Sequence, residues 1–94
     1  MPKFVVAYDL HKPFTVSENY VAMENFIEKS FNRAEKVLNT TFIVTDQGSG
    51  FSISNAIQGF VKQNQWSGDT LVSEIKPGEL YVTLGGHAKS YSSF

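Results

Sequence analysis

Residues 3–9, KFVVAYD, constrain the fold most strongly, because the strand that their alternation predicts is apolar on both faces. The two faces carry Phe4, Val6 and Tyr8 on one side and Val5 and Ala7 on the other. A strand that is apolar on both sides is typical of the centre of a sheet. We expect it to end before Pro13, since proline disfavours continuation inside a sheet.

Length and composition predict one domain over residues 1–94. The chain has 94 residues, of which 41% are hydrophobic, enough for a packed core without covalent staples. It contains no cysteine, which excludes disulfides, thiolate zinc sites and cysteine nucleophiles and fits a reducing compartment. No signal peptide or bilayer-length apolar run is visible, so we expect a cytoplasmic protein without membrane contact.

The charge balance argues against nucleic acid as the sole partner. Eight Lys and Arg residues stand against nine Asp and Glu residues, and Arg33 is the single arginine. Proteins dedicated to phosphate backbones usually show a basic excess, because counterion release supplies much of their affinity. A basic patch would have to be assembled locally or by dimerisation.

Two amphipathic helices are predicted. The first spans about residues 18–33, with Ser17 as its N-cap and an exposed face that includes Glu24 and Glu28. The second begins near Ser52 as its cap. Their apolar stripes are Tyr20, Met23, Phe26, Ile27 and Phe31 in the first helix and Ile53, Ala56, Ile57, Phe60 and Val61 in the second.

Short β-branched runs predict the remaining strands, at residues 37–38, 40–45, 69–75 and 80–84, with a turn or bulge at Asn39. Residues 87–94 form a polar tail. The order β-α-β-β-α-β predicts an α+β, ferredoxin-like domain: an antiparallel sheet with two helices on one face, plus a short C-terminal strand.

This architecture leaves the second face of the sheet open. We expect that face to hold Val5, Ala7, Ile43, Val72 and Tyr81. An open apolar face of this kind usually marks an interface, and a homodimer is the simplest outcome.

The order of several short motifs resembles a known family. The opening VVAYDLHKP, the helix containing Tyr20, TTFIVTD, a helix beginning SIS, and the D-x-L-V-x-E-I run at residues 69–75 follow one another in the family's order. Over residues 3–84 the chain is similar to the small SinR-like proteins. Those proteins are themselves similar to the CRISPR-associated Cas-two proteins and to virulence-associated protein D.

The resemblance implies a ferredoxin-like homodimer that meets nucleic acid. Some members of the wider group are metal-dependent endonucleases acting on RNA or DNA, and others are non-catalytic scaffolds. The aspartate at the end of the first strand is the group's proposed metal ligand, one from each subunit. That position is Asp9 here, which implies Mg²⁺ or Mn²⁺ as the cofactor.

Asp9 and His11 are the candidate catalytic residues. A carboxylate such as Asp9 can hold a hard divalent cation, which binds a scissile phosphate and acidifies water. The structural alternative is that Asp9 caps the turn after its strand. His11 is a candidate ligand or general base, with an exposed loop histidine as its alternative.

Other polar and aromatic residues carry weaker hypotheses. Lys12 could contact a phosphate, and Phe14 and Trp66 could stack on unpaired bases, although loop aromatics more commonly pack against the body of the protein. Asp46 and Asp69 are predicted to be turn residues. A non-catalytic module that binds a protein partner through the same fold is the competing functional hypothesis.

Overall fold

The computed structural model describes residues 1–76 and the backbone of residues 81–84 and 87–90. Strands and helices follow one another along the chain in the order that the sequence predicts, with one additional strand at the end. Their bounds are β1 Lys3–Leu10, α1 Ser17–Ser30, β2 Arg33–Leu38, β3 Thr41–Thr45, α2 Gly50–Gln63, β4 Gly68–Ile75, β5 Tyr81–Leu84 and β6 His87–Ser90.

The strands confirm the ferredoxin-like α+β fold. Strands β1 to β4 form an antiparallel sheet in the order β2-β3-β1-β4, which places β1 in the interior as its two apolar faces predict. Strands β5 and β6 pair with each other in a second, antiparallel sheet. The strand β6 was not expected, because residues 87–94 read as a polar tail.

The main core lies between the sheet and the two helices. Every second residue of β1, starting at Phe4, is at most 4% exposed and points to this side. Each such side chain contributes about 1.5–3 kcal/mol by leaving water. The buried cluster comprises Phe4, Val6, Tyr8, Leu10, Met23, Ile27, Phe42, Val44, Ile53, Ile57 and Val61.

Helix α1 differs from its prediction at both ends. Val16 is the N-cap and makes no side-chain capping bond, whereas Ser17 is already helical. The helix ends at Ser30, three residues early, because Arg33 pairs with Thr45 in β2. Pairing with β3 thus overrides the local helical pattern. None of the helices in the described residues is long and apolar enough to cross a membrane.

Helix α2 begins with a reciprocal pair of serines. Ser49 is the N-cap and its Oγ accepts from the Ser52 N–H at 3.1 Å, while the Ser49 N–H donates to the Ser52 Oγ at 2.9 Å. This capping box satisfies two N–H groups at the helix start. The prediction of Ser52 as the cap was therefore wrong by one turn.

The sheet face opposite the helices is only partly as predicted. Val72 pairs with Val6 and packs against the helix-side core, so its assignment to the open face was wrong. Strand β4 has apolar residues at the consecutive positions Leu71 and Val72. The sequence alone therefore does not show which of the two faces the helices. The residue that does lie on that face, opposite Ala7, is Leu71, and it is 58% exposed.

A second, smaller cluster lies on that same face. Ile43 is 1% exposed and Val37 is 9% exposed, and Val5 and Ile75 pack against them. The face is therefore not open at this end, and its exposed apolar surface lies around Leu71. The predicted contribution of Tyr81 falls on a side chain outside the described residues.

Candidate functional site

The candidate site lies where β1 extends beyond the end of its pairing with β3. The pairing with β3 stops at Ala7, whereas the pairing with β4 continues to Leu10. One edge of the last residues of β1 therefore lacks a neighbouring strand. The Tyr20 hydroxyl of α1 fills this place and accepts a hydrogen bond from the Leu10 N–H at 3.3 Å.

Asp9 lies exposed on this free end of the strand. It alternates with the buried Tyr8 and Leu10, so its side chain belongs to the face without helices. The Tyr20 hydroxyl is 3.5 Å from Asp9 Oδ1, a long hydrogen bond. The carboxylate is thus held loosely by a helix residue, and it remains accessible to a ligand.

Asp69 stands directly opposite Asp9 in the β1–β4 register. It is the second residue of β4, so its prediction as a turn residue was wrong. Its side chain is 79% exposed. Like charges at directly opposed strand positions destabilise a sheet by about 0.2–1 kcal/mol.

His11 offsets part of this cost through a hydrogen bond to Asp69. Its Nε2 is 2.8 Å from Asp69 Oδ2 and its Nδ1 is 2.9 Å from Ser67 Oγ. Because a carboxylate only accepts, Nε2 carries the proton, and in the neutral ring Nδ1 accepts from the Ser67 hydroxyl. The His11 N–H also donates to the Ser67 carbonyl at 2.8 Å. His11 therefore fastens the start of β4 to the end of β1.

Gly68 allows the two strands to meet at this point. A Cβ at position 68 would lie 2.8 Å from the Asp9 carbonyl oxygen and 3.1 Å from Leu10 Cδ2. A side chain here would push β4 away from β1. Gly68 was not among the predicted site residues, although a glycine within a strand often marks a close approach of another backbone.

A shallow depression of about 220 Å³ lies beside the two aspartates. Its lining includes Ala7, Thr70 and the exposed Leu71 together with Asp9 and Asp69. The carboxylates therefore border an apolar patch on the same sheet face. This combination suits a surface that meets a partner and holds charge at its rim.

The remaining sequence candidates lie apart from these carboxylates or serve packing. Lys12 is exposed in the loop after β1. Phe14 is half-buried and packs against the main core, and Trp66 does the same with its ring 5.5 Å from that of Phe60. Asp46 accepts from two backbone N–H groups, those of Asn32 and Gly48, which confirms it as a turn residue.

The donor set of the site fits a hard cation. Among residues 1–76 no group of three or more His, Cys, Asp or Glu side chains is placed to hold a metal ion. Mg²⁺ commonly takes only one or two carboxylates and completes its shell with water and phosphate oxygens. Asp9 and Asp69 supply such a pair of carboxylates from one chain.

Comparison with protein-family models, with characterised proteins and with solved structures finds no match for this chain.

Proposed function

We propose that the chain forms a homodimer that acts on nucleic acid as a metal-dependent endoribonuclease, with Asp9 at the centre of its site. The proposal follows the resemblance to Cas-two-like proteins. The observation that supports it best is the placement of Asp9 and Asp69 at directly opposed, exposed positions. Two facing carboxylates cost stability, and the hydrogen bond from His11 to Asp69 offsets only part of that cost.

The exposed patch around Leu71 supplies a surface for the second copy. Leu71 is 58% exposed and lies two residues from Asp69 on the same face. A two-fold interface uses the same patch on both copies, so a dimer centred here brings both Asp9 side chains near the axis. The pair of chains then offers up to four carboxylates to Mg²⁺ or Mn²⁺ and a substrate phosphate.

Each site residue has a distinct role in this proposal. Asp9 and Asp69 hold the metal ion, which supplies charge stabilisation for the phosphate and a water of lowered pKa. His11 is a positioning residue, because its Nε2–H orients the Asp69 carboxylate. Tyr20 limits the movement of Asp9 from the other side.

A cleavage assay tests the proposal. The purified chain is incubated with labelled single-stranded RNA and with duplex DNA, in Mg²⁺, Mn²⁺ or chelator. We expect metal-dependent RNA cleavage that is lost in Asp9→Asn and Asp69→Asn. His11→Ala should lower the rate about 10–100-fold, as removal of an outer-shell partner of a metal ligand usually does.

Glu28→Gln is the matched control, since Glu28 is an exposed carboxylate on α1 away from the site. Circular dichroism of each variant checks its folding. Cleavage that survives Asp9→Asn in a folded variant would contradict the proposal. If sedimentation shows a monomer at micromolar concentration, two chains cannot share the metal site and the proposal fails.

A non-catalytic interaction module on the same fold is the second candidate. The net charge of −1 favours it, because the chain has no basic excess to hold a polynucleotide. In that case the same dimer binds a protein partner and cleaves no nucleic acid. The same assay separates the two: no cleavage in any metal, with a dimer still formed, supports the module.

A further inference from the structure

A groove lies between the first half of α1 and the β2–β3 turn, and Tyr20 is one of its lining residues. Its volume is about 430 Å³. We call it the α1 groove, and its walls include Ser17, Tyr20, Val21, Glu24, Lys36 and Asn39. None of the sequence motifs described above points to it, because its residues come from separate elements.

An ion pair forms one wall of the α1 groove. Lys36 Nζ lies 2.7 Å from Glu24 Oε1, and the two side chains are 41% and 24% exposed. The carboxylate can accept hydrogen bonds from ligand hydroxyls, and the ammonium can donate to a phosphate oxygen. Ser17 and Asn39 add a hydroxyl and an amide, so the groove offers both donors and acceptors.

Another part of the lining is apolar. Val21 is 53% exposed on α1, next to the half-buried ring of Tyr20. An exposed apolar side chain beside an aromatic ring offers a surface on which a flat ligand ring can pack. The groove therefore combines an apolar wall with charged and hydroxyl groups.

The Tyr8 hydroxyl is an unused donor close to two residues of the groove, Tyr20 and Glu24. It is buried and makes no hydrogen bond to any group that the structure describes. The Tyr8 ring is 6.3 Å from that of Tyr20, and Glu24 is near enough for its charge to act on the phenol. Glu24 thus has the Lys36 ammonium as its present partner and a second donor close by.

We propose that the α1 groove binds one unpaired ribonucleotide of a single-stranded RNA, an inference that rests on the proposed function and names its substrate. The base packs on Val21 and Tyr20, and the ribose 2′-hydroxyl donates to Glu24. Lys36 contacts a phosphate. Tyr20 connects the two regions, since its ring lines the groove and its hydroxyl contacts Asp9.

The chemistry selects RNA over DNA. The Glu24 carboxylate accepts a hydrogen bond from the ribose 2′-hydroxyl. Deoxyribose lacks this hydroxyl, so DNA cannot make the bond. Loss of one hydrogen bond to a charged group weakens binding about ten- to a hundredfold in a desolvated site, and about fivefold in an exposed groove such as this one. We therefore expect the groove to bind RNA only modestly more tightly than DNA.

Binding is measured by fluorescence anisotropy in chelator, so that cleavage cannot occur. The probes are a labelled octamer of riboadenosine, its deoxyribose counterpart and its 2′-O-methyl counterpart. We expect the ribo-octamer to bind about fivefold more tightly than either of the others. Glu24→Gln should remove most of this ratio. Glu28→Gln, one turn along the same helix, should preserve it.

The outcomes separate this inference from the proposed function. Equal binding of the three octamers, or a ratio that Glu24→Gln leaves unchanged, overturns the groove as a ribose site. Asp9→Asn should keep the ratio while it abolishes cleavage. RNA cleavage that depends on Asp9, together with no ribose preference in binding, would overturn the groove alone.

Discussion

Asp9 and Asp69 stand directly opposite each other on β1 and β4, and His11 is hydrogen-bonded to Asp69 but not to Asp9 among the described contacts. One of two facing carboxylates is thus compensated within the chain and the other is only loosely held. This asymmetry leaves the Asp9 carboxylate as the less compensated of the two. It also makes the stability of the domain sensitive to that charge.

Asp9→Asn should therefore stabilise the metal-free protein. Removal of one charge from the pair relieves repulsion of about 0.2–1 kcal/mol at low salt. The effect should shrink in 1 M salt, where exposed charges are screened. Urea unfolding of wild type and variant in chelator measures the difference.

Asp46→Ala is the control for this prediction, because Asp46 accepts two backbone hydrogen bonds. It should destabilise the domain by about 1–3 kcal/mol. A loss of stability in Asp9→Asn would show that the carboxylate caps its own turn, as the structural alternative holds.

Gly68→Ala should separate the ends of β1 and β4. The added Cβ would lie 2.8 Å from the Asp9 carbonyl oxygen, a backbone atom that can move only with its strand. We expect destabilisation of about 1–3 kcal/mol, typical of overpacking, and loss of cleavage through the displaced aspartates. Thermal unfolding and the RNA assay report the two effects.

Gly59→Ala is the matched glycine substitution. Gly59 lies exposed within α2, and a Cβ there would meet nothing within 4 Å. It should stabilise the protein by about 0.5–1 kcal/mol, because alanine favours the helix. Similar stability of the two variants would contradict the clash at Gly68.

Tyr8→Phe should be neutral or stabilising. The Tyr8 hydroxyl is buried without a hydrogen bond in the described structure. Its removal should therefore relieve a desolvation penalty of about 1 kcal/mol. Tyr20→Phe is the control, since the Tyr20 hydroxyl bonds Leu10 N–H and Asp9. It should destabilise by about 1 kcal/mol. A clear loss of stability in Tyr8→Phe would show that the Tyr8 hydroxyl makes a stabilising hydrogen bond, contrary to this prediction.

Ionisation of Tyr8 should make the protein less stable at alkaline pH. Burial, with smaller contributions from Glu24 and Tyr20, raises the pKa of Tyr8 in the folded state above its ordinary value. The unfolded chain then releases this proton first, so stability falls as the pH rises above about 10, by up to ~1.4 kcal/mol per pH unit. Denaturant midpoints at pH 9 and 11 should fall less in Tyr8→Phe than in wild type.

Ser49→Ala should weaken the start of α2. The substitution removes the acceptor for the Ser52 N–H, and we expect a loss of about 1 kcal/mol. Asn55→Ala, at an exposed position inside the same helix, is the control and should change stability little. Equal effects of the two substitutions would exclude a capping role for Ser49.

Local sequence patterns were sufficient for the order of the elements and for the place of β1. Its apolar residues on both faces require a central strand, and a strand-helix alternation of this length has few compact solutions. The helical stripe of α2 was predicted correctly at Ile53, Ile57 and Val61, because its period does not depend on distant partners. The exposure of Asp9 beside the strand end was likewise visible in its alternation with Tyr8.

The tertiary structure alone decided which residues meet Asp9. Asp69 lies opposite it and Tyr20 contacts it, while Ser67 contacts His11. These residues come from other parts of the chain, and they converge because β4 pairs with β1 to its last residue while β3 does not. The face of Val72 depended on the same register, since a shift of one residue exchanges the two faces of a strand. Local periodicity carries no information on how far two strands remain paired, and in this protein that length determines the site.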